Sequence, residues 1–144
     1  MNQDFLDLLR AFAAADVRYM LVGAYALAVH GRPRATGDLD VWIDATPENA
    51  RRVMTALRSF GAPLADVTED DFAREGIVYQ IGLPPARVDI LTQLSGLAFG
   101  AAWPNRLRRP FGSVEADFIG LRDLVTNKRA TGRTKDLADI EGLE

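Results

Sequence analysis

An α+β fold, with a small mixed β-sheet flanked by helices and a helical C-terminal segment, is the architecture this sequence predicts. Three observations predict it. Short apolar stretches of strand character, such as RYMLV and LDVWI, alternate with stretches of helical periodicity. Two further short strands face each other across a Gly/Pro turn, as an antiparallel pair does. The chain has 144 residues, 48% apolar and 26% charged, which suffices for one domain with a real core.

The elements follow in order. Asp4 to Ala15 reads as an amphipathic helix with Phe5, Leu8, Leu9 and Phe12 on one face. Arg18 to Val22 reads as a strand that breaks at Gly23, and Ala24 to Val29 as a short helix of small residues. His30-Gly31-Arg32-Pro33 is a loop, because Gly and Pro punctuate the chain there. Leu39 to Ile43 is the second strand. Thr46 caps the next helix, with Pro47 at its first position, and that helix ends near Phe60 before Gly61 and Pro63. Residues 64 to 75 are polar, a loop or short helix. Ile77 to Ile81 and Arg87 to Leu91 form the antiparallel pair across Gly82-Leu83-Pro84-Pro85. Residues 96 to 113 are mixed, and Ser113 to Phe118 is expected as an edge strand. Ile119 to Thr131 is helical, and Thr134 caps a last helix from Lys135 to Leu143. No repeat, low-complexity tract or dividing linker is present, so residues 1–144 are read as a single domain.

Composition excludes several function classes. The net charge of −3 gives no support to a general nucleic-acid binder. There is no cysteine, hence no disulfide framework and no thiolate chemistry. The N-terminus, MNQDFLDLLR, carries acids where a signal peptide is basic, and no apolar run spans a bilayer. A cytoplasmic protein with no membrane partner is expected. Ser-based hydrolysis and a Walker-type phosphate loop lack their motifs. His30, the single histidine, has no metal-ligand partner at suitable spacing and reads as a loop or packing residue. Trp42 reads as packing against the sheet and Trp103 as a loop anchor.

Charge is unevenly spread. Glu69, Asp70 and Asp71 make residues 67–74 acidic, whereas residues 106–135 hold eight Arg/Lys against three Asp/Glu. Such a basic segment serves a phosphorylated ligand or is simply a solvated helix face. Of seventeen basic residues fifteen are arginine; the only lysines, Lys128 and Lys135, lie in this segment.

The chemistry centres on Asp38-Leu39-Asp40. Side chains two apart on a strand share a face, so the two carboxylates converge while Leu39 and Val41 face the core. Like charges that close repel unless a cation lies between them, and oxygen ligands suit magnesium or manganese. Alone, such a pair is more often a surface feature. Asp89 shifts the balance. It lies within the apolar strand Val88-Asp89-Ile90-Leu91, where a lone carboxylate is costly to bury. A neighbouring strand brings Asp89 to the same metal; otherwise it pairs with an arginine such as Arg87. Upstream, Gly23 stands where a strand turns into a helix, which lets backbone approach a phosphate.

Order and spacing carry a resemblance. A strand ending in Gly23, a small-residue helix, R-P-R-x-T-x-D-L-D and a distant strand with Asp89 together resemble the nucleotidyltransferase superfamily that includes DNA polymerase beta. More narrowly, VGAYALAVHGRPRATGDLDVWI, RVDILTQLSG and LRDLVTNKRATGRTKDLADIEGL resemble a bacterial family of small stand-alone nucleotidyltransferase-like proteins. Related proteins occur in toxin–antitoxin and abortive-infection systems. The resemblance covers residues 18 to 144 and implies the nucleotidyltransferase fold.

It also implies roles. Asp38, Asp40 and Asp89 would be catalytic and hold Mg2+ or Mn2+, with Asp89 helping to deprotonate the attacking hydroxyl. Gly23, Ala24, Arg34, Thr36, Lys128, Arg133, Lys135 and Asp136 would contact or border the nucleotide. The reaction implied is transfer of a nucleoside monophosphate from a nucleoside triphosphate to a hydroxyl of a protein or RNA acceptor. One departure stands out: the family has Gly or Ser after the first glycine, and this chain has Ala24. Alanine keeps the backbone N–H but loses a hydroxyl contact. The rivals are a weak or inactive nucleotide-binding or interaction module on the same fold, half of a toxin–antitoxin pair, and a metal nuclease.

Overall fold

The computed structural model describes residues 2–32, 37–82, 86–141 and 143. A six-stranded sheet runs in the order β3-β4-β2-β1-β6-β5. Its strands are β1 (Tyr19–Val22), β2 (Leu39–Ile43), β3 (Val78–Ile81), β4 (Val88–Leu91), β5 (Leu107–Phe111) and β6 (Val114–Phe118). Three antiparallel pairs, β1/β2, β3/β4 and β5/β6, are joined by the parallel contacts β2/β4 and β1/β6. The sheet is therefore mixed, as expected.

The helices are α1 (Gln3–Ala14), α2 (Gly23–Val29), α3 (Pro47–Phe60), α4 (Phe99–Ala102), α5 (Leu121–Thr131) and α6 (Thr134–Glu141). Helix α1 buries Phe5, Leu6, Leu8, Leu9 and Phe12 and is capped by Asn2, whose side chain accepts from the N–H groups of Asp4 and Phe5. Helix α3 begins as its sequence demands. The Thr46 hydroxyl accepts from Asn49 N–H at 3.2 Å, and Pro47 occupies the first turn. It ends at Gly61, whose φ of +92° is the left-handed cap that an L side chain disfavours. Asn49 is 2% exposed and ties this helix to the sheet, donating to the carbonyls of Arg18 and Asp44 and accepting from Arg18 N–H. The polar stretch before β3 contains a 3-10 turn over Glu69–Ala73, closed by a capping box between Thr68 and Asp71.

Two expectations need correction. Ser113 to Phe118 was expected at an edge, but β6 lies inside the sheet between β1 and β5. The edge is β5, LRRPF, which arginines and a proline hide from a periodicity reading. An edge strand needs only one buried flank, so it tolerates such residues. The last helix starts at Thr134, one residue earlier than expected, and ends at Glu141. Among the described residues no helix is long and apolar enough to cross a membrane.

Candidate active site

The end of the sheet where β1 finishes and β2 begins is where the acidic residues meet. Val22 registers with Asp40 across the antiparallel pair, and Asp40 registers with Asp89 across the parallel one. Registered residues on adjacent strands share a sheet face, so the Asp40 and Asp89 carboxylates emerge side by side. Leu39, Val41 and Ile90 alternate to the other face and are fully buried, and Val88 nearly so. Asp38, just before β2, joins the same side through Arg87, whose Nη2 lies 3.3 Å from Asp38 Oδ2 and 3.2 Å from Asp89 Oδ2. Two residues beyond Asp40, Trp42 is covered edge-on by Phe99 with ring centroids 5.1 Å apart, so that part of the face is core.

Electrostatics follow from this crowding. Burial, then the charges of Asp89 and Asp38, push the Asp40 carboxyl up from 3.8 to about 6, against the opposing pull of Arg87 and Lys128. Burial and then the Asp38 charge also raise the Tyr25 phenol, which places α2 beside the same cluster. Arg87 is held charged, first by its hydrogen bond to Asp89 and next by that carboxylate's charge. Its pairing is imperfect. Nε lies 2.9 Å from Asp89 Oδ1, yet both atoms are buried without a hydrogen bond. Arg87 is thus the arginine partner that the sequence left open for Asp89.

Gly23 explains why Asp40 fits. Its φ is +70°, and a Cβ built there would fall 2.2 Å from Asp40 Oδ2. The carboxylate lies against a bare Cα that no other residue provides. Gly23→Ala is expected to cost about 2 kcal/mol, from left-handed backbone strain plus displacement of Asp40. Urea unfolding of the variant checks this; an unchanged midpoint would mean that the contact carries no constraint.

The C-terminal segment behaves differently from its expected role. Asp136 is fully buried and accepts from Thr131 Oγ1 and Arg133 Nε, each at 2.5 Å, and from Lys128 Nζ at 3.3 Å. Burial opposes its ionisation, but these donors, Arg133 foremost, bring it down to about 2. Lys128 is itself buried, and its Nζ lies 3.6 Å from Asp139 Oδ2. Asp136, expected to border the nucleotide, is buried and anchors Lys128, Thr131 and Arg133. The Lys128 amine is shared between two carboxylates, although its charge still reaches Asp40. Lys135 is exposed on α6 and takes no part in these contacts. Arg34 and Thr36 lie outside the described residues. Reading along the sequence missed Asp139 and Thr131. The signal was available, since Asp136 and Asp139 are three apart on one helix and so share a face.

Beyond the site, His30 donates from Nε2 to the Ile119 carbonyl at 2.8 Å, joining the end of α2 to the residue that follows β6. Trp103 stacks on Phe99, with the Arg106 guanidinium 3.7 Å from its ring centroid, and so anchors its loop.

This arrangement of sheet and helices is shared with a solved structure, a candidate nucleotidyltransferase from Thermotoga maritima. The two superpose with a TM-score of 0.61 over 99% of this chain and 94% of the other, at 14% sequence identity. The chain has a nucleotidyltransferase-like fold. At that identity the likeness concerns the fold alone. The sequence matches no family model, and no curated protein is significantly similar to it.

Asp38, Asp40 and Asp89 are oxygen donors of the kind hard divalent cations take, and the buried Asp89 Oδ1 lies 2.9 Å from Arg87 Nε. Among the described residues, no group of three or more acidic, histidine or cysteine side chains is placed to hold a metal ion as it stands. Arg87 bridges Asp38 and Asp89 and brings positive charge to both.

Proposed function

We propose that this protein is a metal-dependent nucleotidyltransferase that moves a nucleoside monophosphate from a nucleoside triphosphate to a hydroxyl of a protein or RNA acceptor. The observation that carries the reading is the registered pair Asp40–Asp89, with Asp38 beside it, against the bare Cα of Gly23. Asp38, Asp40 and Asp89 would hold Mg2+ or Mn2+. Bound divalent ions supply charge stabilisation to the attacking and leaving oxygens of a phosphoryl transfer.

The chain's own groups do the rest. Asp89 takes up the proton of the acceptor hydroxyl, and Asp40, pushed up to about 6 by burial and the charges of Asp89 and Asp38, gains from any cation placed beside it. The backbone at Gly23 and Ala24, with Arg34 and Thr36, positions phosphate. Arg133 and Lys135 offer exposed cations on the C-terminal side, while Lys128 contributes charge from a fixed, buried position. The cytoplasm is the compartment that supplies the triphosphate, and a role within a toxin–antitoxin pair follows from the sequence resemblance.

The test is incubation of purified protein with each labelled nucleoside triphosphate, Mg2+ and a cell extract, with pyrophosphate and labelled macromolecules measured. Pyrophosphate release together with label on a protein or RNA is expected. If no triphosphate gives either product, the competing reading stands, an inactive nucleotide-binding or interaction module. Ala24 and the Arg87 bridge favour that reading.

A further inference from the structure

The guanidinium of Arg87 contacts two carboxylates of the site: 3.3 Å to Asp38, and 2.9 and 3.2 Å to Asp89. Asp38 stands two residues before Asp40, and Asp89 is in register with it on the neighbouring strand. The sequence reason is short. Arg87 stands two residues before Asp89 on the same extended run, so both side chains project to one face. An arginine fork matches carboxylates in geometry and does not lose its proton. Yet the fit here is incomplete, since Nε and Oδ1 are buried and close but not aligned for a hydrogen bond. Such a pair neutralises charge, with one of its two contacts aligned as a hydrogen bond.

Resting on the nucleotidyltransferase reading, we propose that Arg87 is a built-in counterion that competes with divalent metal for Asp38 and Asp89, so that metal enters only as the guanidinium withdraws. Three carboxylates this close need positive charge in the metal-free chain, and Arg87 supplies it. A metal ion at the same carboxylates meets the guanidinium's positive charge at short range and competes with it for the oxygen lone pairs. Cation affinity is therefore set by a competition and not by the carboxylates alone. Once displaced, the guanidinium remains tethered beside the cluster, where the phosphates of a bound triphosphate would meet it.

The experiment measures Mn2+ binding to the full chain by paramagnetic resonance and by the Mn2+-induced rise in melting temperature. The proteins are the wild type, Arg87→Gln, Arg87→Lys and, as a charge-matched control, Arg51→Gln on the exposed face of α3. Arg87→Gln is expected to bind Mn2+ at least tenfold more tightly than wild type, to melt lower without metal, and to gain more on metal addition. Arg87→Lys, which keeps the charge but not the fork, is expected in between, and Arg51→Gln to match wild type. Equal or weaker Mn2+ binding in Arg87→Gln overturns the competition and makes Arg87 a residue that orients Asp89 for metal. If neither wild type nor Arg87→Gln binds Mn2+ at millimolar concentration, the metal-dependent reading itself falls, and the competition with it.

Discussion

Asp40→Asn is expected to lower nucleotidyl transfer by at least ~10³-fold, because metal stabilisation of the transition state is worth several kcal/mol and each tenfold corresponds to about 1.4 kcal/mol. The same substitution has the opposite effect on the metal-free fold. Asp40 titrates at about 6, against 3.8 for the unperturbed side chain, because of burial and the charges of Asp89 and Asp38. A carboxyl with a raised folded value binds more protons folded than unfolded between those two values, so stability falls as pH rises through that window. Above pH 6 the ionised group costs the fold on the order of 2–3 kcal/mol, which asparagine removes. Without metal, Asp40→Asn should therefore be more stable than wild type at pH 8 and equal to it below pH 4. Addition of Mg2+ and nucleotide should stabilise the wild type and not the variant. Chemical denaturation at the two pH values, with and without metal, reads all of this. A variant that behaves as wild type in every condition would falsify the working metal site.

Asp136→Ala is expected to be the most destabilising single change in the C-terminal segment, at about 3–5 kcal/mol, the usual cost of stripping one partner from a buried ion pair. The wild-type carboxylate is fully buried and receives hydrogen bonds from Thr131, Arg133 and Lys128. Its removal leaves Lys128 buried with Asp139 alone. Asp136→Asn keeps the shape and one carbonyl acceptor but loses the charge, and about half of that loss is expected for it. Here the pH dependence has the opposite sign to that of Asp40. The folded value of about 2 lies below 3.8, so the stabilisation is complete above pH 4 and fades as pH falls through 2. Thermal melts of wild type and Asp136→Asn from pH 7 to pH 2 should converge at the acid end. Parallel curves across that range would show that Asp136 is not ionised in the fold.

What sequence alone could determine was whatever repeats over a few residues. Period-two alternation put Asp38 and Asp40 on one face and Leu39 and Val41 on the other; Thr46, Pro47 and Gly61 marked both ends of α3; the Gly/Pro turn announced the β3/β4 pair. A carboxylate inside an apolar strand was enough to single out Asp89, since burial of an unpaired charge is costly wherever it occurs. Tertiary structure decided the rest, because strand order and long-range ion pairs join residues whose separation leaves no local period. Only the sheet shows that β6 is interior and β5 the edge, that Asp40 and Asp89 are in register, and that Gly23 gives Asp40 its space. Only the fold of α5 against α6 shows that Lys128 is spent on Asp136 and Asp139 rather than exposed to a ligand. The physical reason is the same in each case. A charge declares its need for a partner in the sequence, but which partner it receives depends on the elements packed against it.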